Sequence, residues 1–163
     1  MTIKLLKPKK ENAKEIFTLV KDTKILDLNS EYLYLLQTIH FSDYCCVALF
    51  KDEVVGFVSG YIHPQHKDIY FIWQVGVNST MRGQGLASRM IMDILNRENL
   101  KDINYVHTTI SPSNKASQKV FEKLAKKFNV DVEKEILFEI KDFCNGHEEE
   151  VLYKIGPIKK EEE

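Results

Sequence analysis

Ile69-Tyr70-Phe71-Ile72-Trp73-Gln74-Val75-Gly76-Val77, followed shortly by Arg82-Gly83-Gln84-Gly85-Leu86-Ala87-Ser88, decides how this chain is read. The first stretch is dominated by aromatic and β-branched side chains and reads as a long strand. Two glycines then break the pattern, after which Leu86, Met90, Ile91, Ile94 and Leu95 recur at helical spacing. Strand, glycine-rich turn and helix together make a phosphate-binding arrangement. The turn exposes consecutive backbone N–H groups, and the helix start adds partial positive charge. Glycine is needed there because a Cβ would block the ligand or forbid the required φ. No Lys-Ser/Thr follows the second glycine, so this is not a Walker loop; the dinucleotide fingerprint would need a third glycine and a later acid. A lone Gly-x-Gly is equally a tight βα turn. Arg82 before it, the long strand feeding it and the small Ala87-Ser88 behind it favour a ligand.

Outward from this segment the chain alternates between the two periodicities. Thr2–Leu6 reads as a short strand, and Ala13, Ile16, Phe17 and Val20 define an amphipathic helix from Asn12 to Val20. Ser30 is a plausible N-cap for the helix that carries Leu33, Leu36, Gln37 and His40. Cys45–Phe50 and Val54–Ile62 are β-type runs joined by Lys51-Asp52-Glu53. Tyr105–Ile110 is another strand, and Ser113-Asn114 opens a helix through Ala116, Val120, Phe121 and Leu124. Val130–Ile140 and Val151–Ile155 finish as strands. The order β-α-α-β-β-β-α-β-α-β-β implies an α/β (mixed α+β) domain, with a mostly antiparallel sheet of about six or seven strands flanked by about four helices. Residues 1–157 are expected to form one domain and 158–163 a frayed tail.

The 163 residues suffice for one domain with its own core. A net charge of -1 gives no push toward nucleic acid or an anionic membrane, and no apolar run is long enough to span a bilayer. Three cysteines, Cys45 and Cys46 adjacent, make no disulfide framework and suit a reducing, cytoplasmic setting. His63-x-x-His66 is interrupted by Pro64 and has no cysteines nearby, so no metal site is expected.

Arg82, Gly85 and Ala87 fit the Arg/Gln-x-x-Gly-x-Gly/Ala signature that follows the fourth strand of GNAT acetyltransferases, and the chain resembles that superfamily. Ser111-Pro112-Ser113-Asn114-Lys115-Ala116-Ser117, ending at Phe121, is similar to the Asn-x-x-Ala/Ser segment on the family's next helix. The resemblance implies a GNAT fold with splayed fourth and fifth strands and acetyl-CoA as co-substrate. Its diphosphate would rest on the amides of Arg82, Gly83, Gln84, Gly85, Leu86, Ala87 and Ser88, with Arg82 touching phosphate or only supporting the loop. Its pantetheine would bond backbone groups around Val75 and Val77, where a strand N–H would polarise the thioester carbonyl. Asn114, Ser117 and Phe121 would complete the cofactor segment. Two departures matter. The fourth strand has no acid to serve as base, and Phe121 occupies the place of a tyrosine that protonates the leaving thiolate in many relatives.

Shorter strings narrow the acceptor. Leu26-Asp27-Leu28-Asn29-Ser30-x-Tyr32, then Tyr34-Leu35-Leu36 and His40-Phe41-x-Asp43, resemble the L-2,4-diaminobutyrate acetyltransferases of ectoine biosynthesis, as do Phe71-x-Trp73-Gln74-Val75, Thr109-Ile110-Ser111-Pro112-Ser113-Asn114 and Gly146-His147-Glu148-x-Glu150-x-Leu152-Tyr153. That resemblance implies transfer to the 4-amino group of L-2,4-diaminobutyrate in a ternary complex, for osmoprotection, by a cytoplasmic homodimer. Asp27 or Glu150 would hold an ammonium, or Glu150 would take the proton of the reacting amine, with His147 orienting it. Tyr32, Trp73 and Thr109 are candidate donors to the substrate carboxylate. The three arginines, Arg82, Arg89 and Arg97, all lie in or after the glycine turn, so no arginine clamp is expected. The plainer readings stand beside these: Asp27 and Ser30 as capping residues, Trp73 as core, His147 in a solvated turn. Another small amine or a peptide N-terminus, or acyl-CoA binding without catalysis, are the remaining alternatives.

Overall fold

The computed structural model describes residues 2–160. Among them the chain divides into two compact units, one running up to Tyr61 and resuming over Trp73–Lys101, the other formed by Ile62–Ile72 and the residues from Asp102 onward.

The first unit contains β1 (Lys4–Leu6), α1 (Ala13–Thr23), α2 (Glu31–His40), β2 (Cys46–Phe50), nearly all of β3 (Glu53–Ile62), the second half of β4 (Ile69–Val77) and α3 (Leu86–Leu95). Its strands run β1-β2-β3-β4, with β1, β2 and β3 antiparallel. The tight turn between β2 and β3 places Lys51 at φ 50 and Asp52 at φ 64, the left-handed pair that suits the twist of a two-residue hairpin. Ser30 caps α2 as its type suggests, its hydroxyl accepting the Leu33 N–H at 3.1 Å. The apolar stripe of α1, Ile16, Leu19 and Val20, is buried with Tyr34, Val47 and Phe57. Gly56 lets α3 approach β3 closely: a Cβ there would lie 2.9 Å from the Met90 Cε. Arg97 is spent inside this unit, donating to the carbonyls of Ser42, Asp43 and Cys45 and pairing with Asp93 at 3.0 Å.

The second unit holds the first half of β4, β5 (Tyr105–Ile110), α4 (Lys115–Lys127), β6 (Val132–Phe138) and β7 (Glu150–Ile155), in strand order β4-β5-β7-β6. β5 and β6 each pair antiparallel with β7, while β4 and β5 are parallel. The seven strands therefore make the mixed, mostly antiparallel sheet expected from the pattern, with four α-helices in the expected order. The parallel ladder ends at Ile72↔Thr108, although β4 continues to Val77 and β5 to Ile110.

One of the last two strands is shorter than the sequence suggests. β6 covers Val132–Phe138, not Val130–Ile140, because Asn129 adopts φ 54 after α4 and Ile140 enters a short 3-10 turn. The tail expected to fray from residue 158 starts instead with a buried Ile158, whose N–H donates to the Asn104 carbonyl at 2.7 Å. Residues 161–163 of that tail lie outside the described residues.

Candidate active site

The glycine turn has the geometry its composition demands. Gly83 and Gly85 stand at φ 79 and 72, where an L side chain is strained. No atom lies within 4 Å of a Cβ built on Gly83, so backbone conformation and not crowding requires glycine there. The first hydrogen bond of α3 runs from the Arg89 N–H to the Gly85 carbonyl at 3.1 Å. The N–H groups of Gly85, Leu86, Ala87 and Ser88 have no acceptor among the described residues. Such open first-turn amides, with the helix dipole behind them, make an anion cradle. Arg82 points its Nε at the Val77 carbonyl, 3.3 Å away, and so braces the turn against the end of β4.

Upstream on β4, side chains alternate between faces. Trp73, Val75 and Val77 are exposed or half-buried, whereas Gln74 is 5% exposed. Trp73 is 43% exposed and stands edge-on to Tyr61, ring centroids 6.3 Å apart. Burial pushes the Tyr61 phenol above its ordinary pKa. Asp27 lies exposed in the loop between α1 and α2, and Tyr32 is 68% exposed in the first turn of α2. Gln74 ties this loop to β4: its Nε2 donates to the Asp27 carbonyl at 2.7 Å, and its Oε1 accepts from the Tyr34 hydroxyl at 3.0 Å.

In the second unit a carboxylate is held by two polar neighbours. Glu150 opens β7, and its Oε1 accepts from the Ser111 hydroxyl at 3.1 Å. The Nε2 of His147 lies 3.7 Å from the same oxygen. The His147 ring is stacked on Phe143 at 4.2 Å, which fixes its plane. Thr109 is half-buried in β5 opposite Leu152. Glu148 accepts from both the N–H and the hydroxyl of Ser113, pinning the approach to β7 against the start of α4.

The site residues anticipated from sequence therefore fall into groups. Asp27, Tyr32, Trp73, Val75, Val77 and the 82–88 turn lie in the first unit; Thr109, His147, Glu150, Asn114, Ser117 and Phe121 lie in the second. Asn114 spends its Oδ1 on the Ser117 N–H at 3.1 Å as the N-cap of α4. Phe121 is a core side chain, 1% exposed. Three residues escaped assignment although all stand in quoted strings: Ser111, Gln74 and Tyr34. The available signal was Gln74 itself, a polar side chain on the core face of an apolar strand, where an unbonded amide is costly.

The open first-turn amides of α3 are suited to an anion such as the phosphate of a donor molecule. The chain belongs to the GNAT family of acetyltransferases, whose sequence model, described as Acetyltransferase (GNAT) family, matches residues 13–125. Its relatives include an L-2,4-diaminobutyric acid acetyltransferase of Methylotuvimicrobium alcaliphilum, 46% identical over 96% of this chain and 92% of that protein. The protein of the same description from Halalkalibacterium halodurans is 40% identical, over 96% and 83%. Among solved structures, diaminobutyrate acetyltransferase EctA from Paenibacillus lautus, in complex with its substrate L-2,4-diaminobutyric acid and coenzyme A, superposes with a TM-score of 0.93. It is 32% identical, covering 99% of each chain.

Proposed function

We propose that this protein transfers the acetyl group of acetyl-CoA to the 4-amino group of L-2,4-diaminobutyrate, the acetylation step of ectoine biosynthesis. The observation that carries the reading is the run of open amides from Gly85 to Ser88 at the start of α3. These amides fit a diphosphate, and the neighbouring backbone of Val75 and Val77 fits a pantetheine arm lying along the strand. The relatives named above support the choice of acceptor. Bound acetyl-CoA supplies an acyl group on a good leaving thiolate.

The protein's residues supply binding, orientation and proton transfer. A primary alkyl ammonium has a pKa of about 10 and must lose a proton before attack. Glu150, steadied by Ser111 and His147, takes that proton directly or through water. The amine lone pair then forms the C–N bond, a β4 N–H stabilises the oxyanion, and the C–S bond breaks. Solvent protonates the departing thiolate. Asp27 holds the α-ammonium, while Tyr32, Trp73 and Thr109 offer neutral donors to the carboxylate. Holding the α end away from the thioester directs transfer to the 4-nitrogen, a proximity effect worth several kcal/mol. Residues 1–157 are proposed to serve as one catalytic domain. Within it Arg82 braces the turn, and Asn114 and Ser117 shape the start of α4.

The working form is proposed to be a homodimer. β6 ends the strand order of the second unit and exposes Ile136, Leu137 and Phe138, with Ile140 following. An apolar sheet edge of this kind calls for a strand partner, and a second copy pairing antiparallel about Leu137 would set Ile136 against Phe138. No helix among the described residues is long and apolar enough to cross a membrane. With its cysteines free, the protein is proposed to work in the cytoplasm. NMR of the product formed from acetyl-CoA and diaminobutyrate tests the reaction. Acetylation at N4 is expected, and no turnover above that of unrelated amines would refute it.

A further inference from the structure

We infer that Gln74 and Tyr34 are positioning residues that set where diaminobutyrate is held, and hence which nitrogen reacts; this rests on the reading that Asp27 anchors the α-ammonium. The loop from Ile25 to Asn29 has no regular structure of its own. It leaves α1 through Lys24 at φ 59 and enters α2 at the Ser30 cap. Between these points it is pinned by three hydrogen bonds. The Leu26 N–H donates to Thr23 Oγ1 at 3.3 Å, the Asp27 carbonyl accepts from Gln74 Nε2 at 2.7 Å, and the Asn29 N–H donates to the Tyr34 hydroxyl at 3.4 Å. Tyr34 in turn donates to Gln74 Oε1 at 3.0 Å, and the Gln74 N–H donates to Ser59 Oγ at 3.2 Å. The network thus runs from β3 through β4 to the Asp27 carbonyl and the Asn29 N–H.

Its members are fixed from behind. The fully buried Tyr34 ring meets Phe17 and Phe57 edge-on, each at 6.3 Å between centroids. Leu26 packs against Gly76, where a Cβ would sit 3.6 Å from its Cδ1. A methionine at position 74 would fill similar space without gripping the loop. What the amide adds is a directional hold on the main chain of the residue that carries the carboxylate. Gln74 also sits between Trp73 and Val75, whose side chains leave the opposite face of β4. One strand therefore fixes the loop with one face and presents Trp73 and the pantetheine-binding backbone with the other. That coupling sets the span from ammonium anchor to thioester, and a four-carbon diamino acid is selected by span.

Gln74→Met and Tyr34→Phe, the second preserving the ring packing, test this by initial rates and product NMR. Both are expected to raise the KM for diaminobutyrate roughly tenfold while the KM for acetyl-CoA stays within about twofold. Product acetylated at the α-nitrogen should also appear. Adding Asp27→Asn to Gln74→Met should raise KM little further, since both remove one anchor. An unchanged diaminobutyrate KM in both variants, beside a raised KM in Asp27→Asn alone, overturns the positioning role and leaves the proposed reaction standing. Parallel rises in both KM values also overturn it, marking a general loss of structure. A wild-type protein that fails to acetylate diaminobutyrate overturns the reaction and the inference together.

Discussion

Ser111 donates its hydroxyl proton to Oε1 of Glu150 across 3.1 Å, joining the residue just past β5 to the first residue of β7. The bond fixes one oxygen of the carboxylate proposed to take the substrate proton. Replacing Glu150 by Gln keeps shape and removes basicity, so kcat at pH 7 should fall about a hundredfold. The deficit should shrink as pH rises toward the amine's own pKa of about 10, where free amine no longer needs a base. Ser111→Ala should cost a smaller, several-fold loss. A pH–rate profile of the three proteins checks this, and a Glu150→Gln variant with normal kcat at pH 7 would assign the proton to another group.

The turn residue Gly85 offers a test on the donor side. At φ 72, Gly85→Ala pays roughly 1–2 kcal/mol of backbone strain or shifts the turn to relieve it. Either way the four open amides lose their aim. Calorimetric CoA affinity should drop about tenfold, with the KM for diaminobutyrate little altered.

Cys45 and Cys46 are both buried, and burial pushes each thiol up to about 12 from the ordinary 9.0. Their folded pKa exceeds the unfolded value, so their contribution to stability is complete below pH 9 and is lost as pH climbs from 9 toward 12. The slope is about 1.4 kcal/mol per pH unit for each thiol. Urea titrations at pH 8 and pH 10 should show that fall, and Cys46→Ala should lessen it. A thiol reagent should label the exposed Cys144 of the native protein readily and reach the other two only after unfolding.

The apolar edge of β6 makes the homodimer testable. Ile136→Lys places charge on an exposed strand position and should leave the isolated fold intact. Sedimentation should then show monomer where the wild type sediments as dimer. If the wild type is itself monomeric at micromolar concentration, the homodimer is refuted.

Much of this architecture was legible locally. β4 and β5 have the bounds their composition suggests, because nine and six residues of β-prone chain between clear breaks leave little choice. The turn at 83–85 is equally local, since φ near +75° admits few residues other than glycine. Element ends were less legible: α1 runs on past Val20 to Thr23, β1 starts at Lys4 and not at Thr2, and the ends of β6 are set by a left-handed Asn129 and a 3-10 turn and not by loss of apolar pattern. Ile158 misled for a related reason: a short tail reads as loose until its N–H finds Asn104.

The sequence by itself therefore determined the order of elements, the glycine turn before α3 and the family, because periodicity and glycine conformation act within a few residues. Only the tertiary structure decided what Gln74, Tyr34 and Ser111 do. Their hydrogen bonds span 47, 40 and 39 positions of chain, and no local pattern encodes which distant atom a buried polar group will meet.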